Sequence, residues 1–284
     1  MTLRSPSAPP RGSTVAITSG KGGVGKTSLT VNLAAALASM GQRVGILDAD
    51  LGLGNVDVML GLAPSTHLGS VLSGEGTLQD AIVDGPDGLR VVPAGSGIRA
   101  LTALDRPQWR RLSDVVRTFS AEVDFLLIDT SPGISDNVVD IAALTDRVMV
   151  VTSHEPTALV DAYAVVKLVV RAAPDREIGI VVNAARDADE GQLVYGQLNA
   201  AARRFLGRPV RYYGFIERDP ALSDAVLDQT PVVTRTPNAP ASRSFRRLAL
   251  RVANWPFRGP AVSLACVQPG RGGTFDTEEA PRCA

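Results

Sequence analysis

Seven short apolar runs, separated by segments long enough for a helix, constrain the fold of this chain more than any other feature. The runs are rich in β-branched residues, as expected for strands covered on both faces; they read TVAITS, RVGILDAD, GLRVVPAG, VDFLLIDTS, DRVMVVTS, REIGIVVN and VRYYGFI. Helical patterns fill residues 26–39, 107–120 and 157–173 between them. Such alternation produces βαβ units, so the sequence predicts an α/β fold with a doubly wound, mainly parallel sheet flanked by helices.

The composition indicates a soluble globular protein in a reducing compartment. The 284 residues carry a formal net charge of zero, 45% are hydrophobic and 20% are charged, so bulk charge suggests no partner. The two cysteines, Cys266 and Cys283, form no CxxC pair, which argues against a disulfide framework or a metal cluster. No apolar run is long enough to cross a membrane, and the polar, proline-rich start does not resemble a secretory signal. We therefore expect a cytoplasmic location.

The periodic part of the chain is long enough for one domain. Residues 1–13 are polar and rich in proline, and we expect a disordered arm there. Residues 14–258 contain all the alternating segments and no long linker, which predicts a single domain. From residue 259 to 284 the periodicity is lost and Gly and Pro increase, so a disordered tail is expected.

A glycine-rich loop, GKGGVGKT at residues 20–27, follows the first strand and begins the first helix. The sequence matches GxxxxGK[ST], in which backbone N–H groups and a helix N-terminus surround phosphate oxygens. Lys26 is expected to contact the β- and γ-phosphates, and the Thr27 hydroxyl to bind Mg²⁺. The sequence therefore predicts that ATP or ADP with Mg²⁺ is held by this loop; its residues are Gly20, Lys21, Gly22, Gly23, Val24, Gly25, Lys26, Thr27 and Ser28.

Acidic residues end two of the predicted strands. Asp129 follows four apolar residues, and we expect it to hold the hydration shell of Mg²⁺. Asp48 and Asp50 alternate at the end of another strand, so they share one face of the chain. One or both can approach the γ-phosphate, its metal or the attacking water; the alternative is a solvated loop after a buried strand. Asp124, at the start of the Asp129 strand, is expected to be a surface charge.

The motif KGGVGKT contains a second lysine, Lys21, and resembles the deviant phosphate loop of the MinD/ParA class of ATPases. The resemblance covers residues 14 to about 253. It implies an ATP-dependent homodimer in which Lys21 reaches the nucleotide of the partner subunit; otherwise Lys21 is a solvent-facing loop lysine. Three stretches resemble the FlhG (or FleN) group, which sets flagellar number and position: LDADLGLGNVDVMLGL, LLIDTSPGISDNV and SHEPTALVDAYAVVKLV.

Further site residues are implied by the resemblance, position by position. Asp50 corresponds to the aspartate that positions the attacking water, and with Lys21 and Lys26 forms the catalytic set. Asp129 corresponds to the Walker B aspartate of these ATPases. Gly133 corresponds to a glycine whose N–H can sense the γ-phosphate. Asn183 corresponds to an asparagine that contacts adenine, although an asparagine after a strand can also simply form a turn. Glu217 and Asp219 lie near the base in relatives.

Two departures from the FlhG pattern affect the expected partners. The chain has no DQAxxLR-type arm, which puts activation of the partner GTPase FlhF in doubt, and no separate amphipathic helix follows residue 259. In addition, the segment TSPGIS stands where FlhG proteins usually have TGAGIS, and Pro132 makes it locally more similar to MinD. The resemblance implies a slow, partner-stimulated ATPase with a flagellar or polar-placement partner and weak association with the inner face of the membrane.

Basic residues are concentrated at residues 242–259, SRSFRRLALRVANWPFRG. Phe245, Leu248, Val252 and Trp255 share a helical stripe, and four arginines lie largely off it. We favour a last core helix, ended by Pro256, over a surface that binds lipid or DNA. The alternative functions are a MinD-like division-site regulator and a ParA-like DNA partition ATPase. A metal-cluster carrier lacks the necessary cysteines, and a small-molecule kinase leaves Lys21 unexplained.

Overall fold

The computed structural model describes residues 12–95 and 104–255. The predicted tail at 259–284, Pro256 and most of the predicted arm lie outside these residues. The predicted arm extends too far, because Ser13 is already the first residue of a strand. Its N–H donates to the Asp124 carbonyl at 2.9 Å, and the Gly12 N–H donates to the Ser120 carbonyl at 2.7 Å. These bonds fix residues 12 and 13 to the domain.

The expected α/β sheet is present and mainly parallel. It has the strand order β3-β4-β2-β5-β1-β6-β7-β8, and only the β3–β4 pair is antiparallel. The strands are β1 (Ser13–Thr18), β2 (Val44–Ala49), β3 (Val83–Asp84), β4 (Arg90–Val92), β5 (Phe125–Thr130), β6 (Arg147–Thr152), β7 (Glu177–Ala185) and β8 (Arg211–Glu217). β1 lies near the centre, so the loop that follows it opens in the middle of one edge of the sheet.

Helices cover both faces of the sheet. They are α1 (Lys26–Ala38), α2 (Val56–Met59), α3 (Leu68–Ser73), α4 (Leu78–Ala81), α5 (Arg106–Glu122), α6 (Asp136–Leu144), α7 (Pro156–Ala172), α8 (Ala188–Leu206), α9 (Pro220–Leu227), α10 (Val232–Arg235) and α11 (Pro240–Ala253). Val15 and Ile17 of β1 pack in a cluster with α1 and α11, whereas Ala16 packs in a cluster with α5. This alternation is the period-2 pattern of a strand buried on both sides.

Several elements differ from the sequence expectation. The run GLRVVPAG forms only the three-residue strand β4, and the two-residue β3 beside it was not predicted. The predicted strand REIGIVVN ends at Asn183, whereas β7 continues two residues further, to Ala185. α11 ends at Ala253 rather than at Pro256. Within the described residues no helix combines the length and the apolar character needed to cross a bilayer.

The stripe on α11 is part of the core. Phe245, Leu248 and Val252 are at most 3% exposed, and Trp255 packs against the same cluster. Arg246 donates to the Pro237 carbonyl. The interpretation of this segment as the last core helix is therefore confirmed for its apolar stripe.

Candidate functional site

The loop between β1 and α1 has the backbone geometry of an anion cradle. Gly23 and Gly25 have φ angles of 79° and 88°, in the left-handed region that favours glycine. A Cβ atom at Gly25 would lie 2.2 Å from the Asn183 side-chain nitrogen, so a larger residue would displace Asn183 and strain the backbone. No side chain caps the start of α1. Its first N–H groups have no intrahelical acceptors, so together with the helix dipole they can bind an anion.

Asp129 lies at the centre of the site, where it binds the side chains that begin α1. Its Oδ1 accepts hydrogen bonds from Lys26 Nζ at 2.9 Å and Thr30 Oγ1 at 3.1 Å, and its Oδ2 accepts one from Thr27 Oγ1 at 2.7 Å. Burial raises the pKa of Asp129, and the Lys26 ammonium and the threonine hydroxyls oppose that rise. The two residues expected to bind phosphate and Mg²⁺ are thus already gathered around the expected acidic residue.

Asp48 is fully buried next to Asp129. The parallel pairing of β2 and β5 places Asp48 directly across from Asp129, so the two carboxyl groups are on the same face of the sheet. Asp48 accepts backbone N–H groups of Asp50 at 3.0 Å and Val56 at 3.1 Å. Burial, with the negative charge of Asp129, raises the pKa of Asp48 to about 7. Asp48 therefore shapes the loop after β2, and a part in metal binding stays a prediction.

Asp50 is half-buried in that loop. Its Oδ1 accepts hydrogen bonds from Ser131 Oγ at 2.9 Å and from the Leu53 N–H at 3.3 Å. Ser131 belongs to the loop that follows β5, so Asp50 joins the two loops that flank Asp129. Asp50 is therefore bonded to a second loop, and its part in positioning the attacking water stays a prediction.

Gly133 lies in the loop after β5, next to the phosphate loop. Its φ of 104° requires glycine, and its N–H donates to the Ser19 carbonyl at 2.8 Å. An N–H that is already engaged in this way must leave Ser19 before it can bond a phosphate. The proposed sensing role therefore involves an exchange of partners and remains a prediction.

Asn183 lies behind the phosphate loop. Its side-chain Nδ2 donates to the Val24 carbonyl at 2.7 Å, and the side chain is almost fully buried. Ala184, which follows it, has a φ of 54°, an uncommon conformation for a residue other than glycine. Asn183 thus supports the loop directly, and its predicted contact with adenine remains a prediction.

Lys21 points away from the group around Asp129. Its Nζ lies 2.7 Å from Glu155 Oε2 and 3.3 Å from Thr157 Oγ1, and its side chain is 41% exposed. Lys26, by contrast, is 7% exposed. The two lysines of the loop therefore have different environments: one lies in the cradle and the other at the surface beside α7. Lys21 is thus a surface lysine of the loop that is ion-paired within its own chain, and its contact with a partner's nucleotide stays a prediction.

The donor set fits a nucleotide with magnesium better than a metal ion alone. In residues 12–95 and 104–255 no group of three or more His, Cys, Asp or Glu side chains could hold a metal. The Ser28 hydroxyl oxygen is buried and has no hydrogen-bond partner within those ranges. Such an atom at the N-terminus of a helix, beside free N–H groups, suits a phosphate oxygen. Thr27 can bind Mg²⁺ only together with ligands from the nucleotide.

Two residues assigned loosely to the base have structural roles. Asp219 caps two helices, because it accepts the N–H of Ala221 at 2.9 Å and that of Ala241 at 3.0 Å. Glu217 ends β8, and its N–H is 3.4 Å from Ser244 Oγ on α11. Asp124 pairs with exposed Arg43 at 2.7 Å, as expected for a surface charge.

Three site residues were missed by the sequence reasoning. Thr30 lies one helical turn after Lys26, so its contact with Asp129 could have been found from the helix period. Glu155 and Ser131 have no local signal. Their contacts with Lys21 and Asp50 join residues 134 and 81 positions apart.

Comparison with known proteins places these features in a family. Residues 15–232 match the CobQ/CobB/MinD/ParA nucleotide binding domain. The antiactivator FleN of Pseudomonas aeruginosa is 40% identical over 243 residues, which are 86% of this chain and 87% of that protein. The flagellum site-determining protein YlxH of Helicobacter pylori is 31% identical over 83% of this chain and 80% of its own length. The septum site-determining protein MinD of Pyrococcus horikoshii, solved with Mg-ADP, superimposes with a TM-score of 0.73 at 26% identity, over 85% of this chain and 96% of that one.

Proposed function

The chain belongs to the CobQ/CobB/MinD/ParA family of nucleotide-binding ATPases, and we propose that it is a Mg-ATP-dependent dimerisation switch that regulates flagellar number or placement. The nucleotide-binding loop and the expected fold agree with this family. The flagellar assignment rests on the 40% identity to FleN over 86% of the chain and on the similarity to YlxH.

The residues around Asp129 would bind and orient the nucleotide. Lys26 is close enough to turn from Asp129 to a phosphate, and the N–H groups at the start of α1 add fixed donors. Thr27 would hold magnesium, and Asp129 would accept hydrogen bonds from its hydration shell. Magnesium, when bound, supplies positive charge that neutralises the transferred phosphoryl group. Asp50, at the edge of this group, would orient the water molecule that attacks it.

The observation that carries the dimer proposal is the position of Lys21. Its ammonium group lies outside the phosphate cradle of its own chain and is paired with exposed Glu155. An exposed ion pair contributes little stability, typically about 0–1 kcal/mol, so exchange of Glu155 for a phosphate of a second chain is energetically accessible. Lys21 would then be held by the partner's nucleotide only while that nucleotide has its γ-phosphate.

Exposed apolar side chains near the same edge of the sheet support an interface there. Leu53 follows β2, Ile134 follows β5 and Val160 lies in α7, the helix after β6; they are 77%, 58% and 68% exposed. The carboxyl ends of parallel strands meet at one edge, so these three residues come after strands that end at the same edge as the phosphate loop. Burial of such side chains between two subunits is favourable.

Slow basal hydrolysis is expected because the catalytic loops are held by contacts within the single chain. The Gly133 N–H is bonded to Ser19, and Lys21 is bonded to Glu155. A dimer, or a partner that binds it, would have to exchange these contacts before the site is complete. We therefore propose a partner-stimulated ATPase at the cytoplasmic side of the membrane, with a flagellar or polar-placement protein as the partner. No described contact favours DNA binding by α11.

Flagellar counting tests the cellular role. Deletion of the gene in its own organism should change the number or position of flagella seen by electron microscopy, and the wild-type gene should restore them. A gene that encodes the Lys26→Ala variant should not restore them, because the variant protein lacks the ammonium group proposed to bind phosphate. Unchanged flagella with misplaced division sites would contradict the flagellar role and support the MinD-like alternative.

A further inference from the structure

We propose that Ser131 is a positioning residue for hydrolysis: its hydroxyl holds the Asp50 carboxylate in the orientation that activates water. The inference rests on the proposed function, because it takes Asp50 as the group that orients the water. No role was predicted for Ser131 from the sequence. The structure connects it to Asp50 through a single hydrogen bond.

The sheet brings the two residues together. β2 and β5 pair in parallel with Asp48 opposite Asp129 and Ala49 opposite Thr130. One further step along both strands places Asp50 opposite Ser131, at the edge where the phosphate loop opens. Ser131 Oγ donates to Asp50 Oδ1 at 2.9 Å. The contact therefore lies one residue beyond the paired register of these two strands, at the start of the loops that follow them.

The orientation of the Asp50 carboxylate depends mainly on this bond. The same oxygen also accepts the Leu53 N–H, but at 3.3 Å, and Leu53 belongs to the same short loop as Asp50. In the described part of the chain Oδ2 has no hydrogen-bond partner. With Oδ1 fixed by two donors, Oδ2 is the oxygen that can accept a hydrogen bond from water. Hydrogen bonds to a charged acceptor are about twice as strong as neutral ones, so one serine can hold this geometry.

Ser131 can serve as an anchor because residues on both sides of it are bonded to β1 and the residue that follows β1. Thr130 Oγ1 donates to the Ile17 carbonyl of β1 at 3.1 Å, and the Gly133 N–H donates to the Ser19 carbonyl. Both acceptors lie immediately before the phosphate loop. Through Ser131, the Asp50 carboxylate in the loop after β2 is therefore held in a fixed position relative to β1. Glycine, alanine or proline at position 131 would lack the donor.

The effect on turnover is tested with Ser131→Ala and Ser131→Thr in the full chain, at protein concentrations where turnover per chain is constant. We expect Ser131→Ala to lower kcat by roughly tenfold or more, the effect of losing a hydrogen bond to a charged group. The Kd for Mg-ATP and the KM should change by less than about twofold, because the lost contact orients water rather than nucleotide. Ser131→Thr keeps the hydroxyl and should retain the wild-type kcat.

A second readout does not depend on hydrolysis. In the nucleotide-free chain, the peptide that contains Leu53 should exchange its amide hydrogens faster in Ser131→Ala than in the wild type or Ser131→Thr. The reason is that a loosely held Asp50 protects the Leu53 N–H less well. In an Asp50→Asn background, Ser131→Ala should change kcat by less than about twofold, since the group that it positions is already lost.

The outcomes separate this inference from the proposed function. If the wild type hydrolyses ATP and Ser131→Ala has the same or a higher kcat, only the inference is wrong. A parallel loss of nucleotide affinity and kcat, without rescue by Ser131→Thr, would also overturn it, because it indicates a general structural role. If the wild type neither binds nor hydrolyses Mg-ATP, the proposed function fails and the inference fails with it.

Discussion

At the scale of single residues, the buried pair of Lys26 and Asp129 explains how the site can be both stable and responsive. Taking two charges out of water is costly, and the cost is offset here by the hydrogen bonds from Thr27 and Thr30 to the same carboxylate. An arriving phosphate offers Lys26 a second anionic partner. The residues proposed to bind nucleotide are therefore also residues that hold the nucleotide-free core together.

Replacement of Lys26 tests this double role. Lys26→Ala should abolish ATP binding and also destabilise the chain by about 3–5 kcal/mol, because Asp129 is left buried without its counter-charge. Lys26→Gln can still donate to Asp129, so it should fold more stably but bind ATP equally poorly. Calorimetric titration with Mg-ATP and a urea melt of each variant measure the two effects.

Lys21→Ala is the matched control for that experiment, since it removes the other lysine of the same loop. It should keep nucleotide binding and nearly all of the stability, because its ion pair is exposed. Micromolar ATP affinity in folded Lys26→Gln would contradict the assignment of Lys26 to the phosphate cradle.

At the scale of elements, the sequence predicted the long, regular pieces well. Six of the apolar runs form strands of six or more residues, because a strand buried on both faces needs uninterrupted apolar residues. The loop and the start of α1 were also predictable, since Gly23, Gly25, Lys26 and Thr27 have local conformational and chemical requirements. The four-residue helices α2, α4 and α10 were not, because one turn has no periodic pattern to recognise.

Contacts between elements were the hardest to predict. The Ser131–Asp50 and Lys21–Glu155 pairs depend on strand order and register, and no local sequence pattern encodes which strand lies beside which. Gly133 shows the same limit. Its left-handed φ was foreseeable for a glycine in a loop, but the bond of its N–H to Ser19 was not. Local chemistry therefore identified the site, and tertiary packing determined how its parts are connected.

The raised pKa of Asp140 on helix α6 predicts that the stability of the chain depends on pH. Asp140 is partly buried on α6, and desolvation together with the charge of Asp136 one turn earlier raises the pKa of Asp140 to about 6. A folded-state pKa above the ordinary value of 3.8 means that the native chain binds the proton more tightly than the unfolded chain. Stability from this group is present below pH 4 and is lost as the pH rises to about 6.

Asp140→Asn should therefore stabilise the nucleotide-free chain at pH 7.5, by about 1 kcal/mol after allowance for the partial exposure of the carboxyl group. It should have little effect at pH 4, where the wild-type carboxyl is protonated in both states. Urea denaturation at the two pH values measures the difference. Asp136→Asn, which removes only the repulsion, should give a smaller gain. Equal effects of Asp140→Asn at both pH values would show that its carboxyl does not titrate in this range.

At the scale of the whole molecule, the sheet separates two kinds of surface. At one edge, the phosphate loop, Asp50 and Lys21 lie with the exposed side chains of Leu53, Ile134 and Val160. On the flank, α11 buries its apolar stripe against the core, and Arg243, Arg246 and Arg251 donate to main-chain carbonyls. The edge proposed to bind nucleotide is thus also the edge best suited to a second subunit. ATP binding and self-association would be coupled through the same residues.

Sedimentation velocity is the most direct test of that coupling. The wild type with Mg²⁺ and a non-hydrolysable ATP analogue should sediment as a dimer, and with Mg-ADP as a single chain. Lys21→Ala should bind the analogue with similar affinity but remain a single chain. A wild type that binds the analogue yet stays monomeric at every concentration tested, or a Lys21→Ala variant that dimerises as well as the wild type, would contradict the account.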